Sequence, residues 1–166
     1  MRVPYVFALN RPSPPMQNEL PNLAVLLQRS FKKHAWHGPS VKESLENVTP
    51  ELAQKRIPGT HSIIELVAHM TSWRMFVVKR LQGDADFKVS DEANFPAATD
   101  WVATLNALEE SHTQLMEALK SFPEHKLHET VPNASAPYSF YILLHGIVHH
   151  DLYHAGQIML IRRATL

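Results

Sequence analysis

The sequence predicts an all-α fold, a four-helix bundle with short extra helices in its connections, and three observations predict it. The twelve prolines leave 59–95, 97–122 and 138–166 free of proline, and a proline inside a helix costs about 3 kcal/mol. Within those tracts apolar residues recur three and four positions apart, the helical period. Glycines number only five, and no alternating apolar–polar run is long enough for a strand.

The first helix is expected over Leu20 to Trp36, with Leu23, Leu27 and Phe31 on one face and Gly38-Pro39 as its stop. Short helical turns over Val41 to Val48 and Glu51 to Gln54 follow, each bounded by proline. The second long helix opens on Ser62-Ile63-Ile64-Glu65, the form of a capping box in which serine and glutamate satisfy each other's amides. Its apolar stripe runs Ile63, Leu66, Val67, Met70, Trp73, Val77, Leu81, and Gly83 supplies a left-handed stop. Residues 84–98 read as a loop. The third helix begins at Thr99 or Asp100 and carries Trp101, Leu105, Leu108, Leu115 and Leu119 before Pro123. The last is expected to hold Pro137 in its first turn and to continue through Arg163.

A chain of 166 residues is about one domain. The reading is a proline-rich extension over 1–19 followed by a single domain over 20–166. Sixteen Lys and Arg balance sixteen Asp and Glu, which argues against nucleic acid and against a polybasic membrane anchor. No apolar run approaches the eighteen or so residues of a membrane span. The first ten residues lack the long proline-free core and cleavage site of a signal peptide, so a cytoplasmic protein is expected. The absence of Cys excludes disulfides, Cys-ligated zinc, iron–sulfur clusters and a cysteine nucleophile together.

Histidine is the compositional lead, with eleven in the chain. Near the C-terminus two pairs spaced i,i+4 occur, His145/His149 and His150/His154, pointing to different sides of one helix. His150 and His154 continue the stripe Phe140, Leu143, Leu144, Ile147 towards Ile158 and Ile161, where apolar residues belong. Imidazoles buried in such a seam need partners for their nitrogens, and two His one turn apart can chelate one ion. His69 lies on the stripe Leu66, Trp73, Phe76 of the second long helix and is the natural third ligand. His112 interrupts the third helix's stripe and competes as a fourth ligand, an orienting partner, or an imidazole bonded elsewhere.

The strings His61-Ser62-Ile63-Ile64-Glu65-Leu66-Val67-Ala68-His69-Met70 and His150-Asp151-Leu152-Tyr153-His154-Ala155-Gly156-Gln157-Ile158 together resemble the DinB/YfiT-like superfamily. The segment Ala35-Trp36-His37-Gly38-Pro39-Ser40 resembles one of its subgroups, and the similarity covers roughly residues 20–163. The resemblance implies a bundle of up-down-down-up topology holding one divalent metal through His69, His150 and His154. It also implies a homodimer and, in some relatives, metal-dependent transfer to low-molecular-weight thiols.

A three-His ion with an open position would activate water or an external thiol, making the protein a hydrolase or a thiol S-transferase acting on a small molecule. Zn or Ni is expected first, with Fe, Mn or Cu as alternatives. Gln157, Tyr153 and Asp151 are the candidates for orienting the ligands. Glu65 is assigned to the helix cap rather than to base catalysis, and His61 lies just before that cap. The last helix carries a second apolar stripe, Tyr141, Val148, Leu152, Ala155 and Met159, read as a homodimer surface. The rival reading is a non-catalytic stress-response or binding bundle with a structural or adventitious metal, which a fourth protein ligand would favour.

Overall fold

The computed structural model describes residues 19–134 and 136–165. Among them every regular element is a helix, and one isolated bridge joins Thr130 to Ser139. The elements are α1 (Glu19–Phe31), α2 (Val41–Leu45), α3 (Pro50–Ala53), α4 (Ile63–Leu81), α5 (Asp91–Asn94), α6 (Trp101–Ser121), a 3-10 turn (Glu124–Lys126) and α7 (Phe140–Thr165). The expected extension over 1–19 falls outside the described residues except for Glu19, which begins α1.

Helix starts follow local chemistry. The Ser62 amide and hydroxyl both donate to the Glu65 carboxylate, at 2.6 and 2.8 Å, and Arg56 Nη2 donates to the same side chain at 3.2 Å. Glu65 is therefore occupied at the cap of α4. Asp100 accepts the Ala103 amide at 2.9 Å to open α6, and Thr49 with Pro50 behind it opens α3. Gly83 stops α4 with φ of 89°, a conformation that costs a side-chain-bearing residue steric strain.

Five elements differ in extent from expectation. Helix α1 ends at Phe31 rather than Trp36, because His34 takes a left-handed φ of 63° that no helix continues through. Helix α2, Val41–Leu45, is shorter than the turn expected there, and α3, Pro50–Ala53, lies one residue earlier than expected. Residues 84–98 are not all loop: Ser90 accepts the Ala93 amide at 3.2 Å and nucleates the single turn of α5. Pro137 lies outside α7, which begins at Phe140. The segment before it is held extended, as the Val131 amide donates to Tyr138 O at 2.9 Å and the Tyr141 amide to Leu127 O at 2.7 Å.

Helix α4 packs against α6 and α7, and α1 packs against the same two from the other side. Arg74 meets His112, while Leu81 lies beside Phe122 further along, so α4 and α6 run the same way. His69 meets His150 while Val77 lies beside Leu143, so α7 runs against α4. Two apolar clusters fill the interior. One gathers Leu27, Val78, Leu115 and Leu144; the other gathers Phe31, Val67, Leu108 and Ile158.

Between these clusters lies a polar layer. Arg74 and Asp151, both fully buried, form an ion pair linking α4 to α7. Arg74 Nη1 donates to His112 Nδ1 at 3.1 Å, and its guanidinium covers the Phe31 ring at 4.4 Å. Since Arg can only donate, His112 carries its proton on Nε2 and donates it to Gln28 Oε1 at 2.8 Å. A register that separated Arg74 from Asp151 would strand a charge in the interior at several kcal/mol. The layer therefore fixes how α7 sits along α4. No described helix is long and apolar enough to cross a membrane.

The stripe read as a homodimer surface lies partly within this chain's own core. Val148 and Ala155 are 7% and 3% exposed and pack within this chain's own clusters. Tyr141, Leu152 and Met159 are half-buried beside them. Helices α1 and α2 both pack on α7.

Candidate metal centre

Helices α4 and α7 bring three imidazoles together. His150 Nε2 lies 3.0 Å from His69 Nε2 and 3.1 Å from His154 Nε2. The i,i+4 spacing on α7 supplies two of the rings, and the antiparallel packing of α4 delivers the third. The outer nitrogens of two rings are held. His69 Nδ1 donates to the Asn94 main-chain carbonyl at 2.6 Å, and His154 Nδ1 donates to Gln157 Oε1 at 2.6 Å. A carbonyl oxygen only accepts, so both rings carry hydrogen on Nδ1 and present an Nε2 lone pair to the centre.

That donor set fits a divalent ion. Imidazole–zinc bonds of about 2.0–2.1 Å put two ligand nitrogens roughly 3–3.4 Å apart, close to the separations of these rings. Ligating histidines also characteristically donate their other N–H to a carbonyl or carboxylate, as His69 and His154 do. Among the described residues the cluster contains His69, His150 and His154 with no fourth His, Asp or Glu.

The model of the DinB superfamily matches residues 31–158. The chain belongs to the DinB superfamily. No curated protein and no solved structure gives a significant match.

In this DinB superfamily chain, burial keeps the cluster neutral. His150 is pushed down to about 3, chiefly by desolvation and then by His154 and His69. Desolvation takes His154 down to about 4 against the opposing bond to Gln157. His69 is lowered for the same first reason. Neutral imidazoles at pH 7 are what a cation requires.

The other sequence candidates fall in different places. Gln157 is at the cluster, bonded to His154. Tyr153 points outward at 65% exposure, its ring only edge-on to His154 at 5.0 Å. Asp151 does not orient a histidine, because its carboxylate turns inward to Arg74. Burial raises the Asp151 carboxyl and lowers the Arg74 guanidinium, each opposed by the partner's charge. His112 is not a ligand: it is stacked on Phe31 at 4.0 Å and held between Arg74 and Gln28. His61 is separated from the cluster by Phe95, which stacks on His61 at 3.7 Å and on His69 at 4.1 Å. His145 and His149 lie on another side of α7, with His149 exposed.

Three residues that shape the cluster's surroundings escaped the sequence reading. Asn94 holds both the His69 ring, through its carbonyl, and Trp73, whose Nε1 donates to Asn94 Oδ1 at 2.9 Å. Phe95 covers the flat face of His69. Both sit in a stretch with no periodic signal, and only Ser90 hinted at a helical turn. Arg74 had a signal: it occupies the core spacing of α4 four residues after Met70 and three before Val77, where a charge demands a buried partner.

Proposed function

We propose that this protein is a metal-dependent enzyme in which His69, His150 and His154 hold one divalent ion that activates water or an external thiol. The observation that carries the reading is the convergence of three Nε2 atoms, two of them oriented by hydrogen bonds on the far side of the ring. When bound, such an ion supplies Lewis acidity that lowers the pKa of a water or thiol brought to it. The chain's own residues present three neutral lone pairs and fix two ring orientations. With no Cys in the chain, the thiol of a transferase must come from a second substrate. Zinc or nickel is the ion we propose first, since three neutral imidazoles suit either.

The rival reading, a binding bundle with a structural metal, is favoured by closed four-ligand coordination. The three-residue set argues for an open position instead. A homodimer in a cytoplasmic setting belongs to the same proposal. With Val148 and Ala155 of the earlier stripe buried, its support is Tyr153 and Leu160, 65% and 63% exposed on α7, and sedimentation tests it.

Metal content of untagged protein tests the centre. One ion per wild-type chain is expected, with loss in His69→Ala, His150→Ala and His154→Ala; unchanged stoichiometry in all three would reject it. Thiol-dependent consumption of a chlorodinitrobenzene, set against thiol-free hydrolysis of a nitrophenyl ester, then separates transferase from hydrolase. Inactivity towards both favours the binding bundle.

A further inference from the structure

A cavity of about 250 Å³ opens between α4 and α7 beside the three-His cluster. Trp73, Phe76, Tyr138, Ile142 and Gly146 form much of its wall, and His150 closes it towards the cluster. No Asp, Glu, Lys or Arg lines it. Because α4 and α7 run oppositely, Trp73 and His150 share one end, their rings 6.2 Å apart, and Tyr138 and Ile142 share the other.

Gly146 lines the opening. It stands in the interior of α7 one turn before His150, where glycine costs about 1 kcal/mol relative to alanine. A Cβ built there meets nothing within 4 Å, so no close packing calls for glycine. What the missing side chain leaves is open wall. Around it Trp73, Phe76 and Tyr138 stay half-buried, and Ile142 is 56% exposed. Apolar surface thus faces water within reach of the candidate metal centre.

Building on the metal reading above, we propose that this cavity is the apolar subsite of the substrate. The molecule brought to the cluster carries an uncharged short alkyl chain or single aromatic ring that lies along α7 from Ile142 to His150. An apolar cavity of about 150 Å³ accepts benzene, so this one takes a phenyl ring or about six carbons. A charged or heavily hydroxylated group would lose its hydration there with few groups to replace it.

Two ligand series test this. Primary alcohols from ethanol to hexanol, titrated into metal-free protein and followed by Trp73 fluorescence, report on the cavity alone. Affinity is expected to rise about fourfold per methylene. Gly146→Leu, which fills the cavity, abolishes that dependence, whereas Gly146→Ala retains it, both variants keeping wild-type helicity and metal content. Binding that ignores chain length, or a dependence surviving Gly146→Leu, overturns the subsite. Alkyl hydroxamates of the same lengths then add a metal-binding head on zinc-loaded protein. They should bind at least tenfold tighter than the matching alcohols and lose that margin in His69→Ala. No margin in a protein that retains its ion overturns the placement of the subsite beside the metal. A wild-type protein that retains no ion overturns the metal reading, while the alcohol series still decides the cavity.

Discussion

Two of the three clustered histidines are aimed by what their far nitrogens do. His154 is aimed by Gln157, and loss of such a partner commonly weakens metal binding by about 10–100-fold. Gln157→Leu is expected to lower zinc affinity by about tenfold in competition with a chromophoric chelator, and Tyr153→Phe to leave it unchanged. His112 carries a pH prediction. Burial, and then the Arg74 charge, push it down to about 3 from 6.5. A folded-state value below the unfolded one adds stability that is complete above pH 6.5 and fades as pH falls towards 3. Urea titrations from pH 7 to pH 4 should therefore show wild type losing stability more steeply than His112→Gln. At this scale the clustering of His69, His150 and His154 was legible, since imidazoles on an apolar seam demand partners. The roles of His112 and Asp151 were not, because spacing places them on buried faces without saying that Arg74 waits opposite.

Among the helices, the decisive pairing is α4 with α7, and the Arg74–Asp151 bridge sets its register. Removing one partner of a buried pair leaves the other uncompensated, at about 3–5 kcal/mol, whereas replacing both with apolar residues is often close to neutral. Arg74→Met alone is expected to destabilise by about 3 kcal/mol in urea. Arg74→Met with Asp151→Leu should recover most of that loss. Additive effects in the double variant would remove the bridge as the register device. Helix existence was readable from proline placement, the Ser62 cap and the three- and four-residue period. Three features were hidden: the early end of α1, the turn of α5 and the extended entry to α7. His34's left-handed backbone, the Ser90 cap and the main-chain bonds of 127–131 with 138–141 depend on contacts that periodicity does not encode.

Across the whole molecule, the three rings converge only when α4 and α7 are packed, so an ion held by them would be linked to folding. A ligand that binds only the folded state at one hundred times its dissociation constant adds about 2.7 kcal/mol. Zinc or nickel should therefore raise the melting temperature of metal-free protein by several degrees. A chelator should reverse the shift, and His150→Ala should not show it; an equal shift in that variant would mean binding elsewhere. Family and architecture were thus accessible from sequence, while the pocket walls were not, being assembled from α4, α7 and the segment around Tyr138.

The hold on His69 comes from a peptide carbonyl, not from a side chain. Replacing Asn94 alters the tether to Trp73 yet leaves that oxygen in place, so Asn94→Ala should spare the imidazole's aim. Diversification of residues 84–93 or grafting of a foreign segment succeeds or fails on backbone path alone. An engineer could rewrite that stretch extensively, provided the chain still passes the same point at the same angle.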